Sequence, residues 1–172
     1  MKPLLIIDPS THVAEHEAVH EVASVWGEEF RVWRPAMERG ESPQTPEASA
    51  GVVILGSRAS VVDALEWLDQ LRLFLKPLLQ GEVIRPVLGI CFGHQLLCHM
   101  LGGEVGYLTS KMEKKVAVET TTFTPSRWCP GGGRFPVVCS HREVVTTVEK
   151  TNLDVIASRP DVQIDAVEHR TL

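Results

Sequence analysis

The run Arg85-Pro86-Val87-Leu88-Gly89-Ile90-Cys91-Phe92-Gly93-His94-Gln95-Leu96-Leu97 decides how the rest of the chain is read. It opens on a short apolar segment, residues 87–90, of the kind that forms a buried strand. It continues into an apolar stretch, residues 96–101, that suits a buried helix, and Gly102 and Gly103 supply a stop. Cys91 sits at the joint with Gly89 and Gly93 two positions to either side. This is the Gly-x-nucleophile-x-Gly spacing of a nucleophile elbow, with sulfur in place of a serine oxygen. A sharp strand-to-helix turn holds the nucleophile in a strained backbone conformation, and side chains at the flanking positions would collide. The following helix would aim its N-terminus at the sulfur, which favours thiolate. The bland alternative is a small cysteine packed at a strand end.

Working backwards, residues 4–7 read as a first strand, Asp8-Pro9-Ser10-Thr11 as a turn with capping residues, and residues 12–27 as a helix with Ala14, Ala18, Val22 and Val25 as its buried stripe. Residues 30–33 read as a second strand, residues 34–49 as a surface loop rich in Pro, Glu and Ser, and residues 51–55 as a third strand. The segment Gly56-Ser57-Arg58-Ala59-Ser60 leads into an amphipathic helix over residues 61–80, ended by Gly81. Its apolar side carries Val61, Ala64, Leu65, Leu68, Leu71, Leu75, Leu78 and Leu79. Alternating strands and helices imply a parallel sheet covered on both faces, with ligands at the carboxyl ends of its strands, where Gly56 and Cys91 both fall.

After Gly103 the pattern changes. Residues 104–108, 115–121, 136–139, 144–148, 153–157 and 163–167 are short, strand-like and separated by turn residues. They read as a smaller, mainly antiparallel layer at the sheet edge. The expected architecture is therefore three-layer α/β, a mostly parallel sheet flanked by helices with an antiparallel edge layer.

The net charge of -5 and pI of about 5.8 give no electrostatic case for nucleic acid or an anionic membrane. No apolar run approaches membrane-spanning length. The four cysteines, Cys91, Cys98, Cys129 and Cys139, show no metal spacing, so a reducing cytoplasm is expected. His16-Glu17-Ala18-Val19-His20 fits the zinc-protease pattern His-Glu-x-x-His, extended by His12. These histidines lie roughly opposite the alanine–valine stripe, so a solvated face is expected and zinc catalysis is not.

The run from Gly89 to Leu97 closely resembles the nucleophile segment of class I glutamine amidotransferases, in particular glutaminase domains of the kind found in GMP synthase. The segment at Gly56 resembles the family's glycine-rich oxyanion loop, although the glycine pair often found there is reduced to Gly56. That leaves open whether Gly56 or Ser57 donates, and whether Ser57 or Ser60 simply caps a helix. Ser140-His141-Arg142-Glu143-Val144-Val145 resembles the substrate-holding segment, and Ile164-Asp165-Ala166-Val167-Glu168-His169 resembles the strand leading to the last catalytic motif.

The resemblance implies hydrolysis of the glutamine side-chain amide, with ammonia passed to an acceptor. Cys91 would be the nucleophile, Phe92 and Gly56 the oxyanion donors, and Gln95, Ser140 and His141 would position glutamine. No metal or other cofactor is expected, and a synthase subunit or acceptor enzyme is the expected partner. The family's base stands in a His-Pro-Glu motif, which this sequence lacks; it ends at Arg170-Thr171-Leu172. Neither His94, His141 nor His169 stands in the base's place. Residues 1–172 are therefore expected to be a single, C-terminally incomplete amidotransferase-like domain with impaired turnover. The alternatives are a non-catalytic glutamine-binding or regulatory module and a γ-glutamyl peptide hydrolase. An unpartnered strand at residues 163–167 would favour a homodimer.

Overall fold

A computed structural model describes residues 2–38, 42 and 44–171. They fall into two compact units divided after Leu97. The first contains a parallel four-stranded sheet built from β1 (Leu4–Ile7), β2 (Phe30–Trp33), β3 (Val52–Ile54) and β4 (Val87–Gly89), in the spatial order β2-β1-β3-β4. Helices α1 (His16–Trp26) and α2 (Glu66–Leu79) connect its strands, and α3 (Phe92–Met100) follows β4.

Strand alternation divides the core between two faces. Leu4 and Ile6 of β1 cluster with Val53, Leu55 and Val19 of α1. The alternate residue Ile7 is in register with Trp33, whose ring packs on Phe74 of α2 at 5.4 Å between centroids. The two helices therefore cover opposite faces of the sheet. Leu68, Leu71, Leu75 and Leu78 form the buried stripe of α2, as their spacing predicts, whereas Ala64 is exposed.

Both long helices begin later than the apolar pattern suggests. The first starts at His16 rather than at residue 12, because the preceding loop wraps around a buried carboxylate. Asp8 lies at the carboxyl end of β1 with its side chain fully inaccessible, and it accepts the amide protons of Ser10 at 3.2 Å and Glu15 at 3.0 Å. Its charge is matched by Arg34, whose Nε lies 3.2 Å away. Helix α1 is also rotated from the expected stripe. Val19 is its buried residue, backed by Ala18, Val22 and Ala23, while Val25 is 88% exposed. His12, His16 and His20 are all exposed. Helix α2 starts at Glu66, and residues 61–65 form an irregular approach that still buries Val61. Part of the expected 34–49 loop lies outside the described residues; the described part ends in a 3-10 turn at Pro46–Ala48.

Replacing Asp8 with alanine would leave two amide groups without their acceptor and would break the buried ion pair to Arg34, which keeps its contact with Glu38 at 3.5 Å. The expected loss is about 3 kcal/mol of folding stability, the scale for breaking a buried ion pair by removing one partner. Urea unfolding of the full chain measures it.

The second unit, Cys98–Thr171, is antiparallel. Strands β6 (Lys115–Phe123), β7 (Gly133–His141), β9 (Leu153–Arg159) and β10 (Val162–His169) form a four-stranded sheet in the order β10-β9-β6-β7. Strands β5 (Glu104–Tyr107) and β8 (Glu143–Thr147) form a two-stranded sheet. All six strand-like runs of the second half are strands, and the Gln163 to Val167 segment lies in β10 at a sheet edge. A small core of Cys98, Val145, Leu153 and Ile164 joins the two sheets.

Candidate active site

The joint between β4 and α3 has the geometry that the glycine spacing predicts. Cys91 has φ +54, a left-handed conformation that non-glycine residues rarely adopt, and α3 begins at the next residue. The flanking glycines are required by their surroundings. A Cβ at Gly93 would lie 2.3 Å from the carbonyl oxygen of Ile54, and a Cβ at Gly89 would lie 2.4 Å from the carbonyl carbon of Gly93. The turn is pinned to the end of β3 by two backbone bonds. Ile90 N–H donates to Ile54 O at 2.8 Å, and Gly93 N–H donates to Leu55 O at 3.2 Å.

Gly56, two residues beyond β3, stands beside the cysteine. A Cβ placed on it would lie 3.7 Å from Cys91 Cβ and 4.0 Å from Cys91 Sγ. Phe92 is fully buried and packs on Trp67 of α2 at 6.1 Å between centroids, which fixes the first residue of α3. Gln95 is buried one turn along the same helix, its N–H donating to Cys91 O at 3.0 Å. Thus Cys91, Gly56, Phe92 and Gln95 are assembled within the first unit, at the carboxyl edge of the parallel sheet. That edge is where α/β sheets bind ligands, and strand order reverses here between β1 and β3. Ser57 and Ser60 do not cap a helix. Ser57 Oγ donates to Pro9 O at 2.7 Å and accepts from Ala59 N–H at 3.2 Å, while Ser60 N–H donates to Asp63 at 2.8 Å.

Ser140 and His141 lie at the end of β7 in the second unit, Ser140 exposed and His141 half-buried. His141 Nε2 is 2.9 Å from a guanidinium nitrogen of Arg159. Sequence reasoning missed this arginine, which lies in the middle of a charge network. It is only 4% exposed, bonds Cys139 Sγ, and pairs with Glu119 and Asp165 at 3.3 Å each. Asp165 also accepts from the Thr121 hydroxyl at 2.6 Å, and Lys115 pairs with Glu119 and Asp161. Lys115, Glu119 and Thr121 alternate along β6, the only local signal that one face of this strand is polar and inward.

Burial, reinforced by the Arg159 charge, holds the His141 imidazole below its ordinary pKa. Burial also lowers His169, with Arg127 and Arg170 adding to the effect. Both rings therefore favour the neutral form. An unfolded chain takes up these protons more readily than the folded one, so stability is full above the ordinary value of 6.5 and falls as the pH drops through the depressed folded values. His141→Gln is expected to flatten that decline, and denaturation midpoints across the acid range check it. The Cys98 thiol, buried in its apolar cluster, is pushed up to about 12 and should resist alkylation.

A parallel α/β sheet with a left-handed cysteine at the apex of a strand–helix elbow defines a recognisable class of protein. The chain belongs to the class I glutamine amidotransferase family, whose sequence model, described as "Glutamine amidotransferase class-I", matches residues 42–172. Among its relatives, γ-glutamyl peptidase 4 of Arabidopsis thaliana is 32% identical over 182 residues, covering 98% of this chain and 71% of that protein. γ-Glutamyl peptidase 2 of the same plant is 27% identical over 152 residues, covering 85% of this chain and 60% of that protein. The glutamine-hydrolyzing GMP synthase of Phenylobacterium zucineum is 36% identical over 99 residues, covering 56% of this chain and 18% of that enzyme. The chain thus spans less than two thirds of the length of the last two. Among solved structures, a glutamine amido transferase from Methylobacillus flagellatus superimposes with a TM-score of 0.79 at 20% identity, covering 98% of this chain and 66% of that one. This last likeness is one of fold. Among the described residues, no helix is long and apolar enough to cross a membrane.

Proposed function

We propose that residues 1–172 form one amidotransferase-type domain that cleaves a γ-glutamyl amide through Cys91, with glutamine as substrate. The observation that carries this reading is the left-handed Cys91 immediately before α3, with Gly56 beside it. Cys91 thiolate attacks the side-chain amide carbon of glutamine, forming a C–S bond and a tetrahedral oxyanion. Backbone N–H groups of Phe92 and the Gly56 loop stabilise that oxyanion. In its collapse the nitrogen takes up a proton from solvent, the C–N bond breaks, and ammonia leaves. Water then cleaves the thioester, releasing glutamate and regenerating the thiol. Gln95, Ser140 and His141 position the substrate, and a synthase or other acceptor enzyme takes the ammonia. Turnover by the 172-residue chain is low in this reading, because none of its histidines stands in a His-Pro-Glu motif.

A second reading, hydrolysis of γ-glutamyl peptides, is favoured by the relative that matches almost the whole chain, a γ-glutamyl peptidase by name. The chemistry at sulfur is the same and only the leaving amine differs. The test is covalent labelling by a chloroketone analogue of glutamine, located by peptide mass spectrometry. Saturable labelling of Cys91, slowed by glutamine, supports the first reading. Protection by γ-glutamylalanine but not by glutamine supports the second, and labelling that neither compound slows overturns both.

A further inference from the structure

The cysteine elbow is held to β3 by backbone bonds, but the Gly56 loop beside it leaves β3 and needs an anchor of its own. A side-chain bond ties this loop to the end of another strand. Ser57 Oγ donates to Pro9 O at 2.7 Å across the point where strand order reverses. Pro9 is itself fixed, since its predecessor Asp8 is buried and gathers Ser10 N–H, Glu15 N–H and Arg34 into one cluster. The same serine oxygen accepts Ala59 N–H at 3.2 Å, which closes the loop on itself. A rigid carboxylate-centred turn therefore bears on Ser57, and Ser57 is covalently joined to Gly56, where an added Cβ would lie 3.7 Å from Cys91 Cβ.

Resting on the catalytic reading above, we infer that Ser57 is a positioning residue. Its hydroxyl sets the Gly56 backbone at the distance from Cys91 that an oxyanion hole requires, with Asp8 ordering the loop that receives it. In this role the hydroxyl acts through the Gly56 backbone. Its removal would let the Gly56 backbone drift while leaving the cysteine elbow, which is anchored separately through Ile54 and Leu55, in place.

This separation gives the test. The rate of Cys91 labelling is measured on the full chain with two reagents, the glutamine chloroketone, whose carbonyl oxygen needs the oxyanion donors, and iodoacetamide, which reports only the exposure and reactivity of the thiol. Ser57→Ala is expected to slow saturated chloroketone labelling about tenfold, within the range that misplacing a catalytic group produces. It should leave the iodoacetamide rate at Cys91 unchanged. Ser57→Thr, which keeps a hydroxyl, should restore most of the chloroketone rate. An unchanged chloroketone rate in Ser57→Ala overturns the inference. So does an equal fall with both reagents, which would make Ser57 merely structural. If the unmodified chain itself shows no saturable chloroketone labelling, the catalytic reading fails, and the inference fails with it; that outcome is seen before any variant is made.

Discussion

Cys91→Ala is expected to abolish chloroketone labelling and to remove whatever glutamine or γ-glutamyl peptide hydrolysis the chain supports. Deleting the nucleophile of a comparable hydrolase lowers turnover by about a millionfold, and neither buried cysteine can replace this one. Cys98 is buried with its thiol pushed up to about 12, and Cys139 is buried against Arg159. Labelling is the sharper readout where turnover is slow, because it needs the thiolate and the oxyanion donors but not the second, hydrolytic half of the reaction. The same position carries a stability signature. Cys91 holds φ +54, and a left-handed conformation costs an L-residue about 1–2 kcal/mol. Cys91→Gly should therefore be as inert as Cys91→Ala yet more stable than it by about 1 kcal/mol. Equal unfolding midpoints for the two variants would mean that the elbow stores no strain.

Gly93→Ala is expected to produce a large loss of stability for a single added methyl group. The new Cβ would sit 2.3 Å from Ile54 O and 2.8 Å from Ile54 Cβ. These atoms belong to a fully buried strand residue that also accepts the Ile90 amide, so neither neighbour can move without breaking the joint between β3 and β4. A loss of about 3 kcal/mol is expected, the upper end for overpacking, and failure to fold at physiological temperature is an admissible form of it. Gly56→Ala is the informative contrast. Its Cβ would meet Cys91 at 3.7 Å, an ordinary contact, so folding should be nearly unaffected. Urea midpoints with unchanged m-values separate the two cases. A Gly93→Ala protein as stable as the unmodified chain would show that the elbow is looser than this geometry requires.

Much of the first unit is legible because its signals are local. Four short apolar runs separated by helical periodicity specify a parallel sheet, and the Gly89/Cys91/Gly93 spacing specifies a steric arrangement only a sharp turn needs. Burial is not legible in the same way, since β1 and β3 are buried while β4, which reads as a buried strand, is an edge strand with Leu88 56% exposed. The six strands of the second unit are legible for the same reason, each bounded by turn residues within a few positions. Helix starts are not. Apolar periodicity continues through residues 12–15 and 61–65, but the backbone there answers to the Asp8 carboxylate and to the bonds that Ser60 makes with Asp63 and Val62 instead.

The faces of β6 show the limit most clearly. Val116 and Val118 alternate as a buried face should, yet each is 69% exposed, while Lys115, Glu119 and Thr121 point to the side of buried Arg159. Alternation along a strand reveals that two faces differ; which one is inward depends on what the neighbouring strands bring. Here β9 brings a guanidinium from a distant part of the chain. The sequence by itself determined the element types, the elbow and the cysteine at its apex, because these follow from contacts within a turn or two. Only the tertiary structure decided the anchoring of the Gly56 loop by Pro9 and the charge network around His141. Those depend on groups far apart in sequence, with separations of 48 residues for Ser57 and Pro9 and 18 for Arg159 and His141, and a buried polar group takes whichever partner folding delivers.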